Sequence, residues 1–204
     1  MALSDVDIAN AALIDLGHEP IQSFLDDSDQ ARAVNAIYTM NRDRTLAAHP
    51  WNFATKRLSL AAAVITLNTE EWSTAYLLPT DALRVLYVEP MGVPFRVENG
   101  YILTNESAPL LCSVIYRITD PATFSVNFTS ALQYRLCSVL CNAITARRGN
   151  AQDYWRLYQQ ELQEARTTDG QEGSESRERD SPIGFARVSG SNVSAFQLTD
   201  GEWL

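Results

Sequence analysis

NRDRTLAAHPWNFATKRLSL, residues 41–60, joins two kinds of sequence. Before it, apolar residues recur at helical spacing; after it, they begin to alternate as they do in strands. Within it, His49-Pro50-Trp51-Asn52-Phe53-Ala54 marks where a long helix must stop. Pro50 has no N–H to donate and pushes His49 out of the helical region. Trp51 and Phe53 are large apolar bodies at a chain reversal, which predicts that they plug the joint between a helical layer and a sheet. Pro50, Trp51 and Phe53 are therefore expected to form a structural corner.

Working back from the corner, Ser4 is an N-cap candidate with Asp7 in the first turn of a helix. Ile8, Ala12, Leu13 and Leu16 share its apolar face, and Gly17 suits the left-handed residue that ends it. His18 to Leu25 is a connector. Asp27 or Ser28 caps a second helix to about Ala48, antiparallel to the first. Its expected stripe is Ala33 or Val34, Ile37 or Tyr38, Met40 and Arg44, with Asn41, Arg42 and Asp43 turned to water or a partner.

Working forward, residues 84–88 and 112–118 read as half-buried strands. Phe95 to Leu103 reads as a hairpin, because Asn99-Gly100 tolerates the positive φ angles of a two-residue turn. Asp120-Pro121 then restarts helix, with Phe128, Ala131, Leu132, Leu136, Val139, Leu140, Ala143 and Ile144 on one broad face. Gly149-Asn150 is read as a break before a last helix carrying Ala151, Tyr154, Trp155, Tyr158, Leu162 and Ala165. The fold class predicted is α+β: a helical bundle built from N- and C-terminal helices, with a small antiparallel β-sandwich or barrel inserted between them and an extended C-terminal tail. The expected boundaries are one folded body over 1–168, with helices over 4–49 and 121–168 and the β insert over 55–119, and a tail over 169–204.

The tail opens with DGQEGSESRERDSPIG, which has too few apolar side chains to offset its own ordering entropy. Phe185, Val193, Phe196, Leu198, Trp203 and Leu204 then reappear in a Ser/Asn/Gly background, as a linker followed by apolar anchors. The net charge of −9 argues against a protein that grips phosphates, since nucleic-acid binding needs a basic face. An acidic N-terminus without a signal-peptide pattern, and no run approaching about 20 apolar residues, predict a chain that neither enters nor crosses a membrane. Cys112, Cys137 and Cys141, odd in number, predict free thiols in a reducing cytoplasm.

Catalytic chemistry finds little support in the residues. His18 and His49 are the only histidines and have no nucleophile in local reach. Cys137 and Cys141 lack the spacing of a redox pair or the further ligands of a zinc site, and read as small buried hydrophobes. Asp26-Asp27-Ser28-Asp29 lacks the Gly and distal Glu of a calcium loop and reads as an N-cap cluster. Tyr154, Trp155 and Tyr158 read as core rather than a ligand cage. No catalytic, cofactor-binding or metal site is predicted.

R-D-x-x-L-x-x-x-P-W-N-F-A-x-K-R-x-x-L, beginning at Arg42, resembles the head-to-tail adaptors of tailed bacteriophages, the tail tubular protein A family. Leu78-Pro79-Thr80-Asp81-Ala82-Leu83-Arg84-Val85 is similar to that family's L-P-x-D-x-L-R-V segment. Tyr116-Arg117-Ile118-Thr119-Asp120-Pro121-Ala122-Thr123-Phe124, with Phe128 and Ala131-Leu132, is similar to the approach to its C-terminal helices. The resemblance spans roughly residues 5–165 and stops before the tail. It implies a virion protein without enzymatic activity or cofactor, assembled in the host cytoplasm and located at the head–tail junction. Copies, twelve in that family, form a ring under the portal protein, receive the tail nozzle or tail tube, and leave a lumen for DNA passage during ejection. On this reading Phe185, Val193, Phe196, Leu198, Trp203 and Leu204 are expected to contact portal or a neighbouring subunit, and Arg42, Arg44, Lys56 and Arg57 to make intersubunit charge contacts. The competing expectation is a free-standing cytoplasmic helical module that binds a peptide or small ligand in its sheet insert.

Overall fold

The computed structural model describes residues 3–65, 67, 71–144 and 148–172. Among these residues are four α-helices and two small antiparallel sheets, a mixed α+β architecture, and residues 1–169 form one compact unit. The anchors expected in the tail, from Phe185 onward, lie outside the described residues.

Helix α1 (Asp5–Asp15) begins with a reciprocal cap: Ser4 Oγ accepts from the Asp7 amide, and Asp7 accepts from the Ser4 amide. It ends as Gly17 predicts. Gly17 takes φ +78°, its amide donates to Ile14, and His18 donates to Leu13. Asn10 holds the following connector by donating to the Ile21 carbonyl and accepting from its amide, both at 2.8 Å. Helix α2 (Asp29–Ala48) is capped by Ser28, and Tyr38 on it donates to Asp5 at 2.7 Å.

The apolar face of α2 differs from the sequence expectation. Ala31, Val34, Tyr38, Asn41, Arg42, Thr45 and Leu46 are buried, whereas Met40 and Arg44 are exposed. Asn41 and Arg42 thus point inward, not to water. They are tolerated there because each has a hydrogen-bonding partner, which removes most of the cost of burying a polar group.

After the corner come β1 (Thr55–Leu60), β2 (Thr74–Leu77), β3 (Ala82–Val88), β4 (Phe95–Glu98), β5 (Tyr101–Thr104) and β6 (Leu110–Tyr116). They form two three-stranded antiparallel sheets, β1-β6-β3 and β2-β5-β4. Neither closes, so the barrel alternative does not hold. The β4–β5 hairpin turns on Asn99 at φ 48° and Gly100 at φ 80°, as its sequence predicts.

Strand β6 divides the core. Ile115 belongs to the helical cluster, together with Leu83 and Leu86 packed against it from β3. Leu110, Cys112 and Val114 face a second cluster with Val88 of the same sheet and Tyr76 and Ile102 of the other. Successive side chains of a strand point to opposite faces, so neighbouring residues of β6 serve different clusters.

Asp120-Pro121 does not begin the long helix directly. Asp120 caps a single 3-10 turn, Pro121–Thr123, and helix α3 (Val126–Ile144) starts after it, with Ser125 Oγ accepting from the Phe128 amide. Helix α3 packs against both α1 and α2, which touch each other far less than the expected antiparallel pair would. On its predicted face Phe128, Ala131, Leu132, Leu136 and Leu140 are buried, but Ala143 is exposed. Helix α4 (Arg148–Glu172) contains Gly149 and Asn150 in its first turn, so these residues do not break the helical run. Tyr158, Leu162 and Ala165 carry its buried face, while Trp155 is exposed.

Candidate functional site

Hydrogen bonds, ring contacts and ion pairs converge at the joint where α2 ends, sheet β1-β6-β3 begins and the chain turns toward α3. Pro50 forces it. His49 takes extended angles, φ −140° and ψ 145°, and the chain folds through a 3-10 turn over Asn52–Ala54 into β1. The last carbonyls of α2 have no helical partner. Two side chains from outside the helix supply them: Trp51 Nε1 donates to the Thr45 carbonyl at 3.0 Å, and Arg84 Nη1 from β3 donates to the Ala47 carbonyl at 3.0 Å. Arg84 also places a cation at the negative end of the helix.

An aromatic cluster fills the space under this cap. Trp51 is 1% exposed and meets Phe128 edge-on at 5.2 Å. Phe53 lies 5.2 Å from Phe128 and 5.8 Å from Phe124, and His49 stands edge-on to Trp51 at 4.9 Å. All but the tilted Phe53–Phe124 pair are edge-to-face, which sets the positive edge of one ring against the negative face of another. Pro50 itself is exposed.

Beside the aromatics runs a chain of ionised groups. Asp43 Oδ1 accepts from Arg42 Nε at 3.1 Å and Nη2 at 2.9 Å. Its other oxygen accepts from Arg117 Nε at 2.9 Å, and Arg117 Nη1 reaches Asp81 at 3.2 Å. The Arg117 amide also donates to the Asp81 carbonyl at 2.7 Å. Hydrogen bonding to Asp43, and then its charge, holds the Arg117 guanidinium above the usual arginine range. Farther up α2, Arg135 of α3 donates to Asn41 Oδ1 at 3.0 Å while its guanidinium lies over the Trp155 and Tyr158 rings.

Of the four basic residues expected at intersubunit contacts, Arg42 is 6% exposed and paired within the chain, which removes it from that role. Arg44, Lys56 and Arg57 are exposed, and Lys56 Nζ sits 3.9 Å over the Tyr116 ring. Arg84, Arg117, Asp81, Asn41 and Arg135 were not singled out as site residues from the sequence. Their partners are distant in the chain, so no local spacing betrays the pairing. The tail contacts Phe185, Val193, Phe196, Leu198, Trp203 and Leu204 lie outside the described residues.

His49 is buried among the aromatics, and His18 lies in the connector after α1. Cys112, Cys137 and Cys141 are buried; burial pushes the Cys112 and Cys137 thiols up, away from the reactive thiolate. Among the described residues no group of three His, Cys, Asp or Glu side chains could hold a metal ion, and no helix is long and apolar enough to cross a membrane.

No protein-family model matches the chain, and no curated protein matches it in sequence.

Proposed function

We propose that this chain is a head-to-tail adaptor of a tailed bacteriophage virion, with its helical bundle and inserted β-sandwich forming one subunit of a ring between the portal protein and the tail nozzle or tube. The observation that carries the reading is Arg117. It joins the three sequence segments on which the resemblance rests, because it belongs to the third, pairs with Asp43 of the first and pairs with Asp81 of the second. Trp51 of the first and Phe128 of the third repeat the connection through ring packing. Segments that are each modest as patterns thus form one constellation, tying the helical layer to the sheet beside it.

The mechanism is assembly without chemistry. The portal ring binds one conformation of the adaptor, and the tail orders as it docks, presenting the next interface. An acidic chain lines a passage that DNA slides through without being gripped. The test is to mix the purified protein with the portal protein of the same phage and image the product by electron microscopy. A ring of adaptor density beneath the portal is expected. Particles with bare portals at saturating protein overturn the assignment, and binding of a peptide or small ligand by the free protein instead favours a binding module.

A further inference from the structure

We propose that a groove beside β3 receives residues 193–198 of a neighbouring copy of the chain, an inference that rests on the adaptor-ring reading and names one of its contacts. The groove has a volume of about 400 Å³ and is lined by Leu77, Leu78, Leu83, Val85 and Val97, with Arg84 in its wall. It sits at open strands. β3 is the outer strand of β1-β6-β3, β4 is the outer strand of β2-β5-β4, and each pairs on one side alone among the described residues. Leu77 is 58% exposed and Val97 46%, so two apolar side chains stand in water at the rim. A strand edge beside an apolar trough is the arrangement that accepts an added strand.

The sequence outside the described residues supplies a matching occupant. Within Val193-Ser194-Ala195-Phe196-Gln197-Leu198, the alternation of Phe196, Gln197 and Leu198 suits an extended strand with Ser194, Phe196 and Leu198 on one face. In that conformation Phe196 and Leu198 share a face, about 7 Å apart, a spacing suited to one short trough. Asp200 and Glu202 follow directly, and the groove wall carries Arg84, so the charges are complementary. The register of β3 against β6 shifts between Ala82 and Arg84 and again between Val85 and Tyr87. Such irregularities interrupt a flat edge and limit main-chain pairing to a few residues. Affinity therefore comes mainly from Phe196 and Leu198 in the trough.

Reach permits the contact. About 21 residues separate Glu172 from Val193, and an extended chain of that length spans up to about 70 Å. A tail given to one neighbour and a groove filled by another is a heterologous contact, the kind that repeats around a ring. Each contact is weak alone, and the ring makes it effective by holding the donor close.

The experiment uses the full chain with Phe196 replaced by benzoylphenylalanine, as an equal mixture of isotopically heavy and light protein in concentrated solution, irradiated and mapped by mass spectrometry. Heavy-to-light crosslinks to residues 77–85 and 97 are expected, and Val97→Asp should lower their yield about tenfold while leaving the thermal midpoint unchanged. Crosslinks confined to single chains, crosslinks to other surfaces, or an absence of crosslinks overturn the proposal. The same mapping on portal-bound rings separates the two readings. Rings whose crosslinks fall elsewhere overturn the groove assignment alone. Groove crosslinks from a protein that never assembles on portal overturn the adaptor reading alone.

Discussion

Asp43 and Arg117 stand 74 residues apart in the chain, and a carboxylate oxygen of Asp43 accepts from Arg117 Nε at 2.9 Å. The same carboxylate balances Arg42, whose side chain is 8% exposed, whereas Arg117 is 34% exposed and has a second partner in Asp81. One acid therefore serves two cations of unequal burial. It neutralises the charge that has left water and ties the end of β6 to the C-terminal third of α2.

That inequality gives a graded prediction. Asp43→Ala strands the buried Arg42 charge and should cost about 3 kcal/mol, the low end for breaking a buried pair because Asp43 is itself partly solvated. Asp81→Ala removes a half-exposed partner and should cost less than about 1 kcal/mol. Urea unfolding of both variants measures this. Equal losses would mean that Asp43 is an ordinary surface acid.

Trp51 gives a second measurement. The indole is fully buried against Phe128 and donates to a terminal carbonyl of α2. Trp51→Ala should cost about 3–5 kcal/mol through the cavity left behind. Trp51→Phe keeps much of the packing but leaves the Thr45 carbonyl without its donor, and should cost about 1–2 kcal/mol more than a neutral swap. A thermal midpoint that barely moves in Trp51→Ala sinks the view that the corner holds the two layers together.

The corner was legible because its cause is local: Pro50 cannot continue a helix, and a Trp and a Phe beside it need a dry place. The hairpin was legible for the same reason, since Asn99-Gly100 states its own backbone angles. The α2 face was misread where polar residues turn inward. Asn41, Arg42 and Thr45 are buried with partners that the local pattern does not reveal, among them Arg135 of α3. Strand order was also hidden. That β6 lies between β1 and β3 follows from long-range packing, and the alternation within each strand is indifferent to which neighbour it meets. The 3-10 turn before α3 depends on Asp120 and Ser125 each capping a different start, two signals too close together for periodicity to separate.

Alkaline pH should destabilise the helical unit. Burial, and then the hydrogen bond to Asp5, push Tyr38 well above the usual tyrosine range; burial, and then the charge of Asp15, do the same for Cys137. Both groups are favoured as the neutral form in the folded state. Their contribution is complete below the unfolded values, near pH 8.5 for Cys and about 10 for Tyr, and is lost as pH rises beyond them. The urea midpoint should hold steady from about pH 7 to 8 and fall steeply by about pH 11. Tyr38→Phe and Cys137→Ala should each flatten that fall, at some cost in stability near neutrality. A slope unchanged in both variants would place the alkaline sensitivity elsewhere.

The last prediction concerns what lies beyond α4. Among the side chains described in that helix the last buried one is Ala165, and Arg166, Thr167 and Thr168 are exposed. Removing residues 173–204 therefore takes away no described core residue, and unfolding stability should change by less than about 0.5 kcal/mol, as for surface changes generally. Assembly should respond differently. At the dilute concentrations of sedimentation the full chain is expected to run as a monomer when alone, since its net charge of −9 opposes self-association and the tail–groove contact is weak until a ring holds donor and acceptor close, and to join a ring when portal is added. The truncated chain is expected to stay monomeric in both cases, because the apolar anchors Phe196, Leu198 and Trp203 are gone. Sedimentation with and without portal separates the outcomes. A stable dodecamer of the full chain without portal would overturn portal-templated assembly, and a truncated chain that docks as tightly as the full one would show the tail to be dispensable.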